Sequence, residues 1–278
     1  MKYMHFRSSC AYTALAALME SRGVDTEDRE IALGMKLPWL YAEENGGFAA
    51  GTMLQGAKWF DLWLAPRGYR MKETELSPRA LASYLLEHAP VMLGLRTPRG
   101  KHAVVFEQFD GERYRFFNPV HEDSGEPTEW SLDEDELRER AEPPVVVGEV
   151  VSAEPRRQDM RPLFASSAAA LRENRARIES FAAEKHTPDE YASAMDTLFR
   201  PLLLDGITML ELAGETELAR GFSELQRAFL SFVRVPGDAP LCEAMSMSRL
   251  RELTEAYARL IERRLDRPAD ALYHGDGE

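Results

Sequence analysis

Cysteine is scarce in this chain. Cys10 and Cys242 are the only two in 278 residues, and neither sits in a CxxC pair or a Cys/His metal spacing. The two fall in what read as different domains, so free thiols in a reducing compartment are expected, and the cytoplasm is the expected location. Long hydrophobic runs are lacking as well, since nothing approaches the roughly 18–20 apolar residues that span a bilayer. The start, MKYMHFRSSC, has no uninterrupted apolar segment of a secretory signal and gives no sign of export. Positive charge is in deficit: 34 Lys and Arg stand against 47 Asp and Glu, a formal charge of −13. That balance repels nucleic-acid phosphates and anionic lipid, and no Lys/Arg cluster is free of neighbouring acids. Neither nucleic acid nor a membrane is therefore an expected partner. HExxH, EF-hand, GxGxxG and Walker A patterns are all missing, so no metal and no cofactor are expected.

What is present is a globular composition, 44% hydrophobic and 29% charged, whose character changes near residue 150. Residues 1–152 mix helix, turn and strand signals and read as an α+β domain. Residues 153–278 are rich in Ala, Leu, Glu and Arg with helical periodicity and read as an all-helical domain. In the first part a helix is expected from Ser8 or Ser9 to Gly23, with Ala11, Leu15, Leu18 and Met19 on one face. A second covers Asp25 to Leu33, and residues 34–51, which include Trp39, Tyr41 and several glycines, read as a long ordered loop. Thr52 is read as capping a helix through Trp63, and Ser77–Pro78 opens another. Strands are expected at 90–96, 102–109, 112–119 and 145–151, with Asp110–Gly111 closing a hairpin. A helix over Trp130–Arg140 with a Ser131–Glu134 capping box lies between the last two strands. The second part reads as helices over 160–186, 188–213, 215–233 and 246–266, the second opened by Thr187-Pro188-Asp189-Glu190.

One constellation has the makings of chemistry. A thiol becomes an acyl-transfer nucleophile when its pKa is lowered, a base stands by, and a third group orients the base. Cys10 follows two serines able to cap a helix, at the helix N-terminus, where partial positive charge favours a thiolate. His102 opens a strand after the Gly100–Lys101 turn, and Asn118–Pro119 ends its hairpin partner. If Asp110–Gly111 closes that hairpin, residues summing to about 221 face each other, which puts Asn118 beside His102.

Cys at the first helix, His opening a strand about 90 residues on, then Asn before Pro resembles the papain-like peptidases that cleave double-glycine leader peptides. GTMLQGAKWF (51–60), leading to Gly68–Tyr69, is similar to that family's segment before the His strand. The Cys10 helix, the ALGMKLPWLY loop (32–41) and the KHAVVFEQFDGERYRFFNP hairpin (101–119) also resemble the N-terminal domain of the butirosin biosynthesis acyltransferase, which moves an acyl group from a carrier thioester to an aminoglycoside amine. Both resemblances cover residues 1–150. They imply a papain-like fold with Cys10, His102 and Asn118 as catalytic residues and a small-molecule, peptide or carrier-bound acyl substrate, hydrolysed or transferred. Self-association stays open.

The chain departs from the peptidase pattern at Met4, where such enzymes carry a Gln that binds the oxyanion. His5, Ser8 and Ser9 are the candidate substitutes, and loss of one oxyanion donor typically costs about 10²–10³ in rate. An inactive papain-like binding or scaffold protein is the alternative that Met4 leaves open. Trp39, Tyr41 and His121 are candidate substrate-loop or cleft-rim residues. The other histidines have ordinary readings: His88 complements a helix dipole, and His186 and His274 are solvated. Cys242 reads as a packed thiol, and Tyr191, Phe199, Phe222 and Phe229 as core.

Overall fold

The computed structural model describes residues 2–44, 46–98, 100–234 and 239–265. His274, the C-terminal end of the last expected helix and most of the turn at 236–240 lie outside the described residues. In chain order the elements are α1 (Cys10–Glu20), α2 (Asp28–Gly34), β1 (Tyr41–Glu44), β2 (Gly47–Ala50), α3 (Ala57–Leu64), β3 (Tyr69–Leu76), α4 (Pro78–Glu87), β4 (Val91–Thr97), β5 (Gly100–Phe109), β6 (Tyr114–Phe117), β7 (Glu129–Leu132), α5 (Glu134–Arg140), β8 (Val145–Ser152), α6 (Arg161–Ala182), α7 (Pro188–Ala194), α8 (Gly206–Leu212), α9 (Thr216–Arg234) and α10 (Met247–Glu262). No helix among the described residues is long and apolar enough to cross a membrane.

The chain divides into two compact units. The first comprises residues 1–35 and 55–158, the second residues 36–54 and 159–278. The expected boundary at 152/153 thus falls six residues early, and it also puts the 36–54 excursion on the wrong side.

The first unit is an antiparallel six-stranded sheet in the order β3-β8-β4-β5-β6-β7. Valines, leucines and phenylalanines alternate along the strands, as a half-buried pleat requires. Leu93, Leu95, Val104, Phe106 and Val147 face Leu81 and Leu85 of α4 and Leu137 of α5 in one apolar cluster. Helix α1 packs on β5 and β4, and its buried Leu15, Leu18 and Met19 take no part in that cluster. Strand β3 escaped the sequence reading because it is an edge strand, half of its residues charged, in which Met71 alone is buried. The helix expected from Trp130 begins only at Glu134. Asp133 and Glu136 form its capping box, while Trp130 and Ser131 lie in β7 paired with β6. Nor does Thr52 cap a long helix, since α3 starts after Gly56.

In the second unit α6 packs against α10 and against the β1–β2 hairpin. Residues 34–51 are therefore not simply a loop. Tyr41 donates its backbone N–H to Ser167 Oγ (2.9 Å), and the buried Tyr41 hydroxyl accepts from Asn174 Nδ2. The helix expected over 188–213 is interrupted by wider π-type turns at Met195–Phe199 and Pro201–Asp205. Pro201 has no N–H to give and its ring crowds the preceding turn, which is a standing cause of such local rewinding. Tyr191, Phe199, Phe222 and Phe229 are buried.

The segment before α1 is tied down by one buried carboxylate. Asp28, at the start of α2, accepts from the backbone N–H of His5 (2.8 Å), from His5 Nδ1 (2.6 Å) and from Thr13 Oγ1 on α1 (3.3 Å). Removing it leaves the buried Thr13 hydroxyl and the His5 N–H groups without this acceptor. Asp28→Ala is expected to cost about 2–4 kcal/mol in urea unfolding, whereas a loss below about 1 kcal/mol would mean that this carboxylate is not what fastens the segment.

Candidate functional site

Cys10 is the first residue of α1. It stands where backbone N–H groups of the first turn lack intrahelical partners and the helix dipole presents partial positive charge. The chain arrives there through a tight turn held by Ser9, whose hydroxyl donates to Phe6 O (3.0 Å) and accepts from Phe6 N (3.3 Å). The imidazole comes from β5. His102 is the third residue of that strand, not the first, and its backbone pairs with Leu95 of β4.

The third member arrives by a different route from the simple hairpin expected. The β5–β6 pairs Phe109↔Tyr114 and Gln108↔Arg115 are followed, across a bulge at Glu107, by Phe106↔Phe116 and Val105↔Phe117. Opposed residues therefore sum to 223 and then to 222, not 221, and the ladder ends before Asn118. Asn118 is instead held by β7's approach, its N–H donating to Thr128 O (2.7 Å). Its side-chain Nδ2 donates to Pro127 O (2.6 Å), which turns Oδ1 toward the imidazole. His102 Nε2–H then donates to Asn118 Oδ1 at 2.9 Å. An amide oxygen can only accept, so Nε2 carries a proton and Nδ1 is the nitrogen left for the thiol. Asn118 is buried, so this bond is little contested by water.

The electrostatics follow from this geometry. Burial opposes the charged form of Cys10. The hydrogen bond and charge of His102, with N–H groups of Ala103 and Ala11 behind them, outweigh burial and bring the thiol below its ordinary value. Burial likewise opposes an imidazolium, and the Cys10 thiolate, Asn118 Oδ1 and the Pro119 carbonyl override it, so His102 is raised. Each group is the main reason the other charges.

Beside His102 lies a cleft of about 630 Å³ whose walls include Met4, Arg7, Val120, His121, Trp130 and Arg140. Met4 N donates to Val120 O (2.8 Å), and His121 Nδ1 lies 2.9 Å from Met4 O. These two bonds pin the strand of chain before Cys10 to the residues just after Asn118. The Trp130 ring covers His102 with centroids 5.8 Å apart. Among the described residues no group of three or more His, Cys, Asp or Glu is placed to hold a metal ion.

The remaining expected residues divide. His121 lines the cleft, but His5, Ser8 and Ser9 do not. His5 is bound to Asp28, Ser9 is spent on Phe6, and Ser8 is half-buried and already engaged. Trp39 and Tyr41, taken as substrate-loop residues, are buried members of the second unit, where Arg264 stacks over the Trp39 ring at 4.3 Å. Cys242 is exposed rather than packed. His186 is not solvated either. It stacks on Phe181 with centroids 3.6 Å apart and bonds its carbonyl oxygen. The sequence reading missed Trp130, Arg7 and Arg140, which carry no local motif. Compared with protein-family models and with characterised proteins, the chain matches none.

The two shifts run in opposite directions, the thiol below its ordinary value and the imidazole above its own, and both favour a thiolate–imidazolium pair nearer neutral pH. Iodoacetamide should accordingly label Cys10 rapidly at about pH 6.5, where an unassisted thiol of pKa about 8.5 is only about 1% ionised. His102→Ala should slow this labelling at least about tenfold. If that variant reacts like the parent in a mass-resolved time course, the pairing of Cys10 and His102 is wrong.

Proposed function

We propose that the first unit is a papain-like acyl-transfer domain in which Cys10 is the nucleophile, His102 the proton carrier and Asn118 the group that orients it. The observation carrying this reading is His102 held between two partners, with Nε2–H on Asn118 Oδ1 at 2.9 Å and the Cys10 thiol on the imidazole's other side. A histidine kept only for structure has no need of a thiol at a helix N-terminus whose pKa it lowers.

The chemistry runs in two halves. The Cys10 thiolate attacks the acyl carbonyl, forming a C–S bond. The tetrahedral adduct collapses as the His102 imidazolium gives its proton to the departing thiolate or amine. Water or an amine then attacks the acyl-enzyme. His102 takes the proton of that nucleophile, and Cys10 leaves as thiolate, which restores the ion pair. Cys10's own backbone N–H, unpaired within the helix, is the natural oxyanion donor. With Met4 where peptidases place a glutamine, an activated thioester from a small or carrier-bound acid suits the site better than an unactivated peptide. The second unit is read as a helical domain appended to this one, and two unpaired cysteines suit a cytoplasmic setting.

A panel of small acyl thioesters, read by intact mass, tests the proposal. A covalent acyl adduct at Cys10 is expected. Cys10→Ala should abolish turnover, and His102→Ala should lower it by about 10²–10⁴. Turnover that survives Cys10→Ala would remove Cys10 as the nucleophile, and a reactive thiol that never acylates would turn the reading to a binding module.

A further inference from the structure

The cleft has a charge character at odds with the chain as a whole. A protein of formal charge −13 lines this cleft with two arginines, Arg7 and Arg140. Arg7 is exposed, three residues before the nucleophile, and has no ion-pair partner among the described residues. Arg140 ends α5, half-buried, with its guanidinium 5.1 Å from the centroid of Trp130, the ring that in turn covers His102. It too has no carboxylate partner among the described residues. The carboxylate on the lining, Glu126, already has an interaction of its own. In a chain so rich in acids, two arginines without a carboxylate partner that line the same cleft as His102 form a ready receptor for anionic oxygen, and their planar forks suit carboxylate or phosphate.

We propose that this cleft selects acyl donors bearing an anionic group, a carboxylate or phosphate oxygen held by Arg7 and Arg140 while Cys10 meets the carbonyl. The proposal rests on the thiol-enzyme reading above. Arg140 packs on Trp130, whose ring centroid lies 5.8 Å from that of His102, and both line the cleft. Neutral and cationic acyl groups gain nothing from these arginines.

Two alkylating agents of nearly equal size, neutral iodoacetamide and anionic iodoacetate, separate the questions. Both rates are measured at Cys10 of the full chain, and their ratio is compared with that of N-acetylcysteine. A ratio removes the thiolate fraction, so it reads the cleft's charge and not the pKa. The parent ratio of iodoacetate to iodoacetamide should exceed the free-thiol value. Arg7→Gln and Arg140→Gln should each lower it by about fivefold, and Arg140→Lys, which keeps the charge, should largely retain it. Inorganic phosphate or acetate should slow iodoacetate at the parent's Cys10 more than at the double Gln variant's, and whichever competes better names the preferred anion. A parent ratio no higher than that of the free thiol overturns the proposal. So does a raised ratio that the double variant leaves in place, because His102 would then be the source. Slow iodoacetamide labelling with an ordinary pH profile would instead overturn the thiol-enzyme reading, and the ratio can still be read near pH 9, where any thiol ionises.

Discussion

The hydrogen bond from His102 to Asn118 is the constraint on which the site depends. It selects one imidazole tautomer, sets the plane of the ring and leaves Nδ1 for sulfur. Neither Cys10 nor His102 would ionise readily alone at this depth, because burial opposes both charges. Together they titrate as a pair, and Asn118 Oδ1 and the Pro119 carbonyl add to the imidazolium side. The amide presents Oδ1 because Nδ2 is fixed on Pro127 O, so the bond that orients the imidazole is itself oriented by backbone.

That arrangement asks the chain to join regions far apart in sequence. Residues 4–10 must lie beside 118–121, and both beside the start of β5. Backbone bonding of Met4 to Val120, His121 on the Met4 carbonyl, and the buried Asp28 carboxylate under His5 and Thr13 supply the fastening. Each removes freedom from the segment that brings Cys10 to His102.

The parts legible in the sequence were those set by local rules. Alternating Val and Phe announced β4, β5, β6 and β8, the Thr187–Glu190 capping box announced α7, and a cysteine behind two serines announced a helix N-terminus. What local rules misplace is instructive. A proline, four glycines and the aromatics Trp39 and Tyr41 made residues 34–51 look like a loop, although Asn45–Gly46 is also a hairpin-turn dipeptide. The side chains that make this segment a hairpin of the second unit, Ser167 and Asn174, lie on α6. A bulge at Glu107 shifted a register that simple counting had set, and the Asn118 side chain reached His102 through Thr128 and Pro127, which counting could not include.

By itself, then, the sequence determined the α+β character of the first part and the helices of the second. It also determined the helix-end placement of Cys10 and the candidacy of His102 and Asn118, since periodicity, caps and turns act over a few residues. Tertiary structure alone decided which chain segments belong to which unit, that His5 and Ser9 are spent on structural bonds, and that Arg7 and Arg140 line the same cleft as His102. The physical reason is the same throughout: burial, charge and hydrogen-bond partnership are properties of neighbours in space.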